Sequence, residues 1–217
     1  MSRLAESYEH SYGNKFLYGP LLAAAIAARE EAALRLLMAT ALKEGVGVRT
    51  IEEIIFQSHL FLGYPAMIEA ARIFSEFRPE RRLRKVRPRA YDGPVCRDWH
   101  KKGMKKIDLI YGPVLEKLIE YMNSFSPQIL TWMINNAYGQ VLSRPGISFQ
   151  LRELSTISML TVTSYENQLK AHLRGAFNLG IEPDLMEKTI DNCRFLCSRR
   201  KVKLSLGVLE RLGRSHA

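Results

Sequence analysis

The chain has 217 residues, of which 47% are hydrophobic and 25% are charged, and its formal net charge is +10. These are the values of a globular protein with one large domain or two small ones. The sequence holds no run of 18 apolar residues, so it predicts no membrane span and no membrane partner. Its three cysteines are too few and odd in number for a disulfide framework, and the N-terminus lacks a signal-peptide pattern. The expected location is therefore the reducing cytoplasm.

The positive charge is concentrated in one segment. Residues 78–106 hold twelve Lys and Arg against three acids, which is nearly the whole net charge of the chain. Three prolines and a glycine argue against a continuous helix over residues 78–100. The sequence therefore predicts a solvated linker or surface arm. No nucleic-acid partner is expected, because the basic residues are not part of a recognisable nucleic-acid-binding motif.

The N-terminal part predicts an arm followed by helices. Residues 1–19 are polar and aromatic, which indicates a loosely packed arm. Pro20 suits the first position of a helix, and residues 21–43 are strong helix formers that a glycine pair ends. Thr50 and Glu53 have the spacing of a capping box, which predicts the start of a second helix.

Helical spacing of apolar residues also dominates the rest of the chain. A Gly-Tyr-Pro sequence interrupts the second helix at residues 63–65, and a Gly-Pro pair interrupts a later one at residues 112–113. Ser148 is a candidate N-cap, and Thr163 begins a second capping box. No segment alternates apolar and polar residues as a strand would. The fold class predicted is all-α.

The sequence also contains a weak internal repeat. Tyr18-Gly19-Pro20 recurs as Tyr111-Gly112-Pro113, and each copy opens a similar order of helices and glycine stops. This pattern predicts a divergent duplication. The expected division is an N-terminal half at 1–77, a basic connector at 78–106 and a C-terminal half with a tail at 107–217.

One acid and one histidine form the main candidate site. Glu153 and His172 lie 19 positions apart in two consecutive predicted helices. If the helices run antiparallel, the carboxylate reaches the imidazole, fixes its tautomer and supports proton transfer. The alternatives are a structural ion pair and a packed core histidine. Tyr165 and Gln168 fall on the helix face of His172, and two small residues follow the histidine on that face.

The same residues resemble a known family. Residues 137–147 (Ala-Tyr-Gly-Gln-Val-Leu-Ser-Arg-Pro-Gly-Ile), Arg152-Glu153-Leu154 and residues 168–180 are similar to the carboxymuconolactone decarboxylase family. That family shares its all-helical fold with alkyl hydroperoxidase D. The resemblance covers about residues 107–195, and residues 51–66 match more weakly through their Gly-Tyr-Pro-Ala break. It implies an alkyl hydroperoxidase D-like helical bundle of two divergent halves.

The resemblance also implies roles for individual residues. Glu153 and His172 take the places of the catalytic glutamate and histidine. Tyr165 and Gln168 stand where the alkyl hydroperoxidase D branch has the cysteines of its Cys-x-x-Cys motif, so peroxiredoxin-type activity is disfavoured. Leu37 stands at the histidine's place in the first half, so we expect a composite site, with the 51–66 element packed near His172.

Four residues are expected to bind the substrate. They are Tyr165, Gln168, Tyr64 and His59. For His59 a packed or partly exposed structural role is the alternative. Arg152 is next to Glu153 but points about 100° away from it on the helix, so the sequence does not assign it as the cation for a carboxylated substrate.

The function implied is that of a lyase. It would transfer a proton and release carbon dioxide from a small carboxylated lactone or a related metabolite, with no cofactor and no metal. The resemblance also implies a homo-oligomer of the trimer or hexamer type. The competing classes are an alkyl hydroperoxidase D-like peroxidase and a non-catalytic oligomeric binding protein that uses the basic segment for partners.

The cysteines and the remaining histidines are weaker candidates for a functional site. Cys193 and Cys197 have i, i+4 spacing, which would strain a disulfide, and no histidine motif accompanies them to form a metal site. A thiol peroxidase that uses these two cysteines is a third hypothesis, and we expect no such activity. His100 and His216 have no supporting context.

Overall fold

The computed structural model describes residues 13–77, 90–124 and 126–216, and for residues 215 and 216 it describes the backbone alone. All regular structure in these ranges is helical and none of it is strand, which confirms the all-α prediction. No helix in these ranges is both long and apolar enough to cross a membrane. In chain order the helices are α1 Asn14–Ala28, α2 Glu31–Lys43, α3 Val48–Ser75, α4 Gly93–Tyr111, α5 Leu115–Asn123, α6 Pro127–Trp132, α7 Phe149–Thr163, α8 Glu166–Asn178, α9 Pro183–Asn192 and α10 Arg199–His216.

The chain divides into two compact units. Unit 1 comprises Met1–Phe77 and Gly146–Ala217, and unit 2 comprises Arg78–Pro145. The two copies of the internal repeat differ in conformation. Gly19 lies within α1, whereas Gly112 has a φ of 45° and begins a 3-10 turn. Both the duplication and the division at 1–77, 78–106 and 107–217 stay predictions.

The first helix begins earlier than the sequence predicted. Pro20 lies inside α1 and not at its start. The physical reason is burial, since Leu17 and Tyr18 are each 1% exposed and pack in the core of unit 1. The prediction of an arm over residues 1–19 is therefore wrong from residue 14 onward, and residues 1–12 lie outside the described part of the chain.

The single helix predicted for residues 21–43 is two helices. Arg29 separates α1 from α2 in a left-handed backbone conformation, with φ 58° and ψ 30°. Its N–H bonds back to the carbonyls of Ala25 and Ile26, so it closes α1 as glycine usually does. A non-glycine residue in this conformation costs about 1–2 kcal/mol.

Helix starts were predicted with mixed success. Ser148 caps α7, since its side chain accepts a hydrogen bond from the N–H of Leu151. Both capping boxes are wrong, because α3 begins after Gly47 and α8 after Tyr165, each without a side-chain cap. The interruption of α3 is confirmed at Gly63, where φ is 80° and only glycine adopts the geometry freely.

The basic segment is partly helical, which corrects the linker prediction. Asp92 caps α4 by accepting a hydrogen bond from the N–H of Val95, and Pro94 lies in the first turn, where proline is tolerated. Residues 78–89 of the predicted linker lie outside the described residues. Within unit 2, α6 continues as a π-helical segment over Met133–Val141.

Helix α7 is the central helix of unit 1. It is buried from Leu151 to Val162, and α1, α3, α8, α9 and α10 all pack against it. Gly19 lets α1 approach closely, because a Cβ at this position would lie 2.8 Å from Cδ1 of Leu151. Helix α7 also carries Arg152 and Glu153, both buried, into this core. Its polar residues therefore define where the site lies.

Candidate active site

The predicted acid and histidine are in contact. Ser164 ends α7 in a left-handed conformation with φ 62°, and α8 then packs against α7. This turn brings Nδ1 of His172 to 2.9 Å from Oε2 of Glu153. Glu153 is 1% exposed and His172 is 8% exposed. The contact is confirmed, and the catalytic roles of the two residues stay predictions.

The geometry assigns different tasks to the two ring nitrogens. Because an ionised carboxylate can only accept hydrogen bonds, Nδ1 of His172 is the donor to Glu153. No other hydrogen-bond partner of the ring lies among the described residues. Nε2 therefore remains available to give a proton to a substrate or to take one, and Glu153 stabilises the protonated ring.

A second buried pair lies beside the first, and sequence reasoning missed it. Nη2 of Arg152 is 2.9 Å from Oε2 of Glu53 in α3, and the side chains are 1% and 2% exposed. Nε2 of Gln57 donates to the carbonyl of Arg152 and to Oγ1 of Thr156, each at 2.8 Å. The available signal was a glutamate and a glutamine at i, i+4 on the apolar face of α3.

The N-terminal helices reach the histidine. Phe61 of α3 packs edge-on against the ring of His172, with 5.4 Å between the ring centroids. The expectation that the 51–66 element lies near His172 is therefore confirmed. Whether this element completes a functional site stays a prediction.

Phe61 also lines a cavity of about 300 Å³. The cavity lies where the end of α1, the break in α3 and the turn between α7 and α8 meet, and Tyr165 is in its wall. Tyr165 is 59% exposed. The lining residues are Ile26, Ala27, Arg29, Phe61, Leu62, Ala66, Thr163 and Tyr165.

The other three predicted substrate-binding residues lie elsewhere. Gln168 is exposed on α8. Tyr64 is 61% exposed and its ring stacks at 5.1 Å on the ring of His59, whose Nδ1 lies 2.6 Å from the carbonyl of Phe56. None of the three lines the cavity beside Tyr165. Their role in binding stays a prediction.

The cysteines do not supply a reactive thiol to this region. All three are free, and burial raises the pKa of Cys193 to about 12. Burial also raises the pKa of Cys197. Since the thiolate is the reactive form, these shifts disfavour the thiol peroxidase hypothesis. In the part of the chain that the structure describes, no three His, Cys, Asp or Glu side chains cluster in a way that could hold a metal ion.

The fold and the site together define a class of protein. It is an all-helical bundle of the alkyl hydroperoxidase D-like type, with a buried His–Glu pair and no cysteine pair at that position. No protein-family model matches the chain. Over 95 residues the chain is 30% identical to 4-carboxymuconolactone decarboxylase of Acinetobacter baylyi, and the match covers 43% of this chain and 71% of that protein. The chain belongs to the carboxymuconolactone decarboxylase family.

Proposed function

We propose that this protein is a lyase that decarboxylates a small carboxylated lactone or a related metabolite by proton transfer from His172. The observation that carries the proposal is the 2.9 Å contact between Nδ1 of His172 and Glu153 in the core of unit 1. A buried imidazole held at one nitrogen is arranged for acid–base work at the other. The similarity to a protein named 4-carboxymuconolactone decarboxylase supports the reaction class.

The reaction can be written with its atoms and electrons balanced. The bond between the substrate carbon and its carboxylate breaks, and carbon dioxide leaves. The electron pair of that bond spreads over the conjugated lactone. Nε2 of protonated His172 then gives a proton to the lactone carbon where the negative charge collects, and a C–H bond forms. Solvent returns the proton to His172.

Glu153 is the positioning partner in this scheme. Its carboxylate is 1% exposed and fixes the ring so that Nε2–H is the proton to be donated. It also stabilises the imidazolium that must be present before each turnover. Proton transfer from a group positioned in this way contributes about 10²- to 10⁴-fold in rate.

Further parts of the proposal concern binding and assembly. Tyr165 would donate a hydrogen bond to the substrate from the cavity wall, and Gln168, Tyr64 and His59 would contact the substrate or the entrance. We also propose a cytoplasmic homo-oligomer of the trimer or hexamer type. Exposed apolar side chains in unit 1 support the assembly, among them Leu36, 68% exposed, and Ile68, 56% exposed.

Two other functions remain as outcomes of the test. An alkyl hydroperoxidase D-like peroxidase would need a thiolate, and burial raises the pKa of Cys193 to about 12. A non-catalytic oligomeric binding protein would keep the fold without turning over any lactone.

The test is a decarboxylation assay. The full chain is incubated with γ-carboxymuconolactone while carbon dioxide release and lactone absorbance are followed. His172→Ala should lower the rate by about 10²- to 10⁴-fold, because it removes the proton donor. His100→Ala is the matched control, since it removes an imidazole that is bonded to Asn135 and has no role in the proposed site. Equal rates for wild type and His172→Ala would refute the acid–base role.

A further inference from the structure

A lactone that keeps a carboxylate after decarboxylation needs a cation in its binding site. Arg152 is next to Glu153 in the sequence, but the structure excludes it as the cation that binds the substrate. Its guanidinium is 2.9 Å from Glu53 and its side chain is 1% exposed, so its charge is already balanced inside the core. A different cation must therefore meet the substrate, and this inference rests on the proposed function.

Arg29 is in the right place to be that cation. It lines the cavity whose wall also contains Phe61 and Tyr165. Its side chain is exposed and makes no ion pair with any described residue. Its backbone is held in the left-handed conformation that ends α1, at a position where glycine is the ordinary residue.

The charges around the cavity favour an anion. The lining holds the guanidinium of Arg29, the phenol of Tyr165 and the hydroxyl of Thr163, and it holds no carboxylate. Acids line a neighbouring groove that shares Arg29. Two of these acids are paired with other arginines, because Glu31 bonds to Arg35 and to Arg72 and Glu69 bonds to Arg72. The third acid of the groove, Glu30, is not a lining residue of the cavity, so the lining itself carries the positive charge of Arg29 alone.

The cavity also adjoins the proposed proton donor through one side chain, although His172 itself is not a lining residue. Phe61 lines it and packs against His172 at 5.4 Å. Tyr165 precedes His172 by seven residues, which is about 10 Å along the helix axis. Because Arg29 and Tyr165 line the cavity and His172 does not, we assign a carboxylate held there as one that stays on the substrate.

We propose that Arg29 binds a carboxylate that the substrate keeps, with Tyr165 as a second donor, and that Phe61 forms the wall along which the lactone ring reaches His172. Arg29 forms a charge-assisted hydrogen bond with the retained carboxylate and acts as a specificity-determining residue.

The test is a binding measurement that needs no turnover. The probe is 5-oxotetrahydrofuran-2-acetate, a lactone that keeps a carboxylate and has none to lose. Its methyl ester has the same ring without the charge. Ligand-observed NMR titration of the wild-type protein should give a Kd for the acid about tenfold below that for the ester, as expected for a hydrogen bond between charged groups.

Three variants test whether the preference for the acid depends on Arg29. Arg29→Gly removes the charge and suits the left-handed backbone, so the fold is kept, and it should abolish the preference for the acid. Arg29→Lys should keep part of that preference. Arg174→Gln, which removes an exposed arginine of α8 outside the cavity, should keep all of it.

The outcomes separate this inference from the proposed function. A failure of the acid to bind, or an equal preference in wild type and Arg29→Gly, overturns the role of Arg29. Carbon dioxide release with a KM that Arg29→Gly leaves unchanged overturns it as well, and the proposed function then stands. Binding of the acid through Arg29 without any decarboxylation supports the anion site and contradicts the proposed function.

Discussion

Arg152 and Glu153 are neighbours in α7, and each places a charge in the core of unit 1. Arg152 meets Glu53 and Glu153 meets His172, with N···O distances of 2.9 Å in both pairs. The first pair is closed on all sides, since both of its side chains are at most 2% exposed. In the second pair the side chain of His172 retains 9% exposure.

Burial and pairing do not by themselves make a functional site. A guanidinium stays protonated at every pH a protein meets, so the pair of Arg152 and Glu53 can only hold α7 against α3. An imidazole has two ring nitrogens, one of which can hold a carboxylate while the other transfers a proton, so the pair of Glu153 and His172 can do chemistry. The pair of Arg152 and Glu53 is therefore structural, and the pair of Glu153 and His172 is the one that we propose for proton transfer.

The largest expected effect is a loss of stability when the buried pair of Arg152 and Glu53 is broken. Arg152→Met removes the guanidinium that is paired with the buried carboxylate of Glu53, which should lower the free energy of unfolding by about 3–5 kcal/mol. Urea denaturation followed by circular dichroism measures this loss. The double variant Glu53→Leu/Arg152→Met should recover most of it, because no unpaired charge remains. A loss below about 1 kcal/mol, as exposed pairs show, would contradict the structural role.

The next largest effect is on the decarboxylation rate, when the pair of Glu153 and His172 is changed. Glu153→Gln keeps the shape of the side chain but removes the charge that stabilises protonated His172. Loss of a hydrogen bond to a charged group should lower the decarboxylation rate per folded molecule by about 10- to 100-fold. Glu53→Gln is the matched control, since it makes the same change in the other pair and should keep that rate. If both variants react equally fast, the distinction between the two pairs fails.

The smallest effect concerns another buried titratable group, the thiol of Cys193, which follows α9 in the chain and packs against α7. Cys193 packs against the carbonyl of Ser158, and burial raises its pKa to about 12 from an ordinary value of 9.0. At pH 8 about one thiol in 10⁴ is ionised, so a thiolate-directed reagent should not modify it in the native protein. Because ionisation is disfavoured in the folded state, its contribution to stability is present below pH 9 and is lost as the pH rises towards 12.

A double variant makes this measurable. Cys96→Ser/Cys197→Ser leaves Cys193 as the remaining thiol of the chain. It should react with the reagent only after denaturation, and peroxide should not oxidise it in the folded state. Rapid modification at pH 8 without denaturant would revive the thiol peroxidase hypothesis.

Much of the fold could be predicted from residue spacing. The apolar period of 3.6 residues and the glycine stops identified an all-α chain, and the break at Gly63 and the cap at Ser148 are where the pattern placed them. Helix starts were harder where burial outweighs local signals. Pro20 lies within α1 because Leu17 and Tyr18 belong to the core.

Only part of the candidate site could be predicted from the sequence. Glu153 and His172 are separated by one turn between two helices, so their contact followed from spacing and resemblance. Glu53 and Arg152 are 99 residues apart, so the polar residues on the apolar face of α3 could indicate a buried polar contact but not its partner on α7. Arg29 was missed for a similar reason, since its position depends on the helix break between α1 and α2 and on the cavity formed there.

The most direct test compares the two pairs in one assay. Carbon dioxide release from γ-carboxymuconolactone is measured for wild type, His172→Gln and Arg152→Met, and each rate is divided by the folded fraction determined by circular dichroism. The account predicts that His172→Gln loses about 10²- to 10⁴-fold in rate per folded molecule, whereas Arg152→Met keeps most of the wild-type rate. A His172→Gln protein that reacts as fast as wild type, or an Arg152→Met protein that loses as much as His172→Gln, would contradict it.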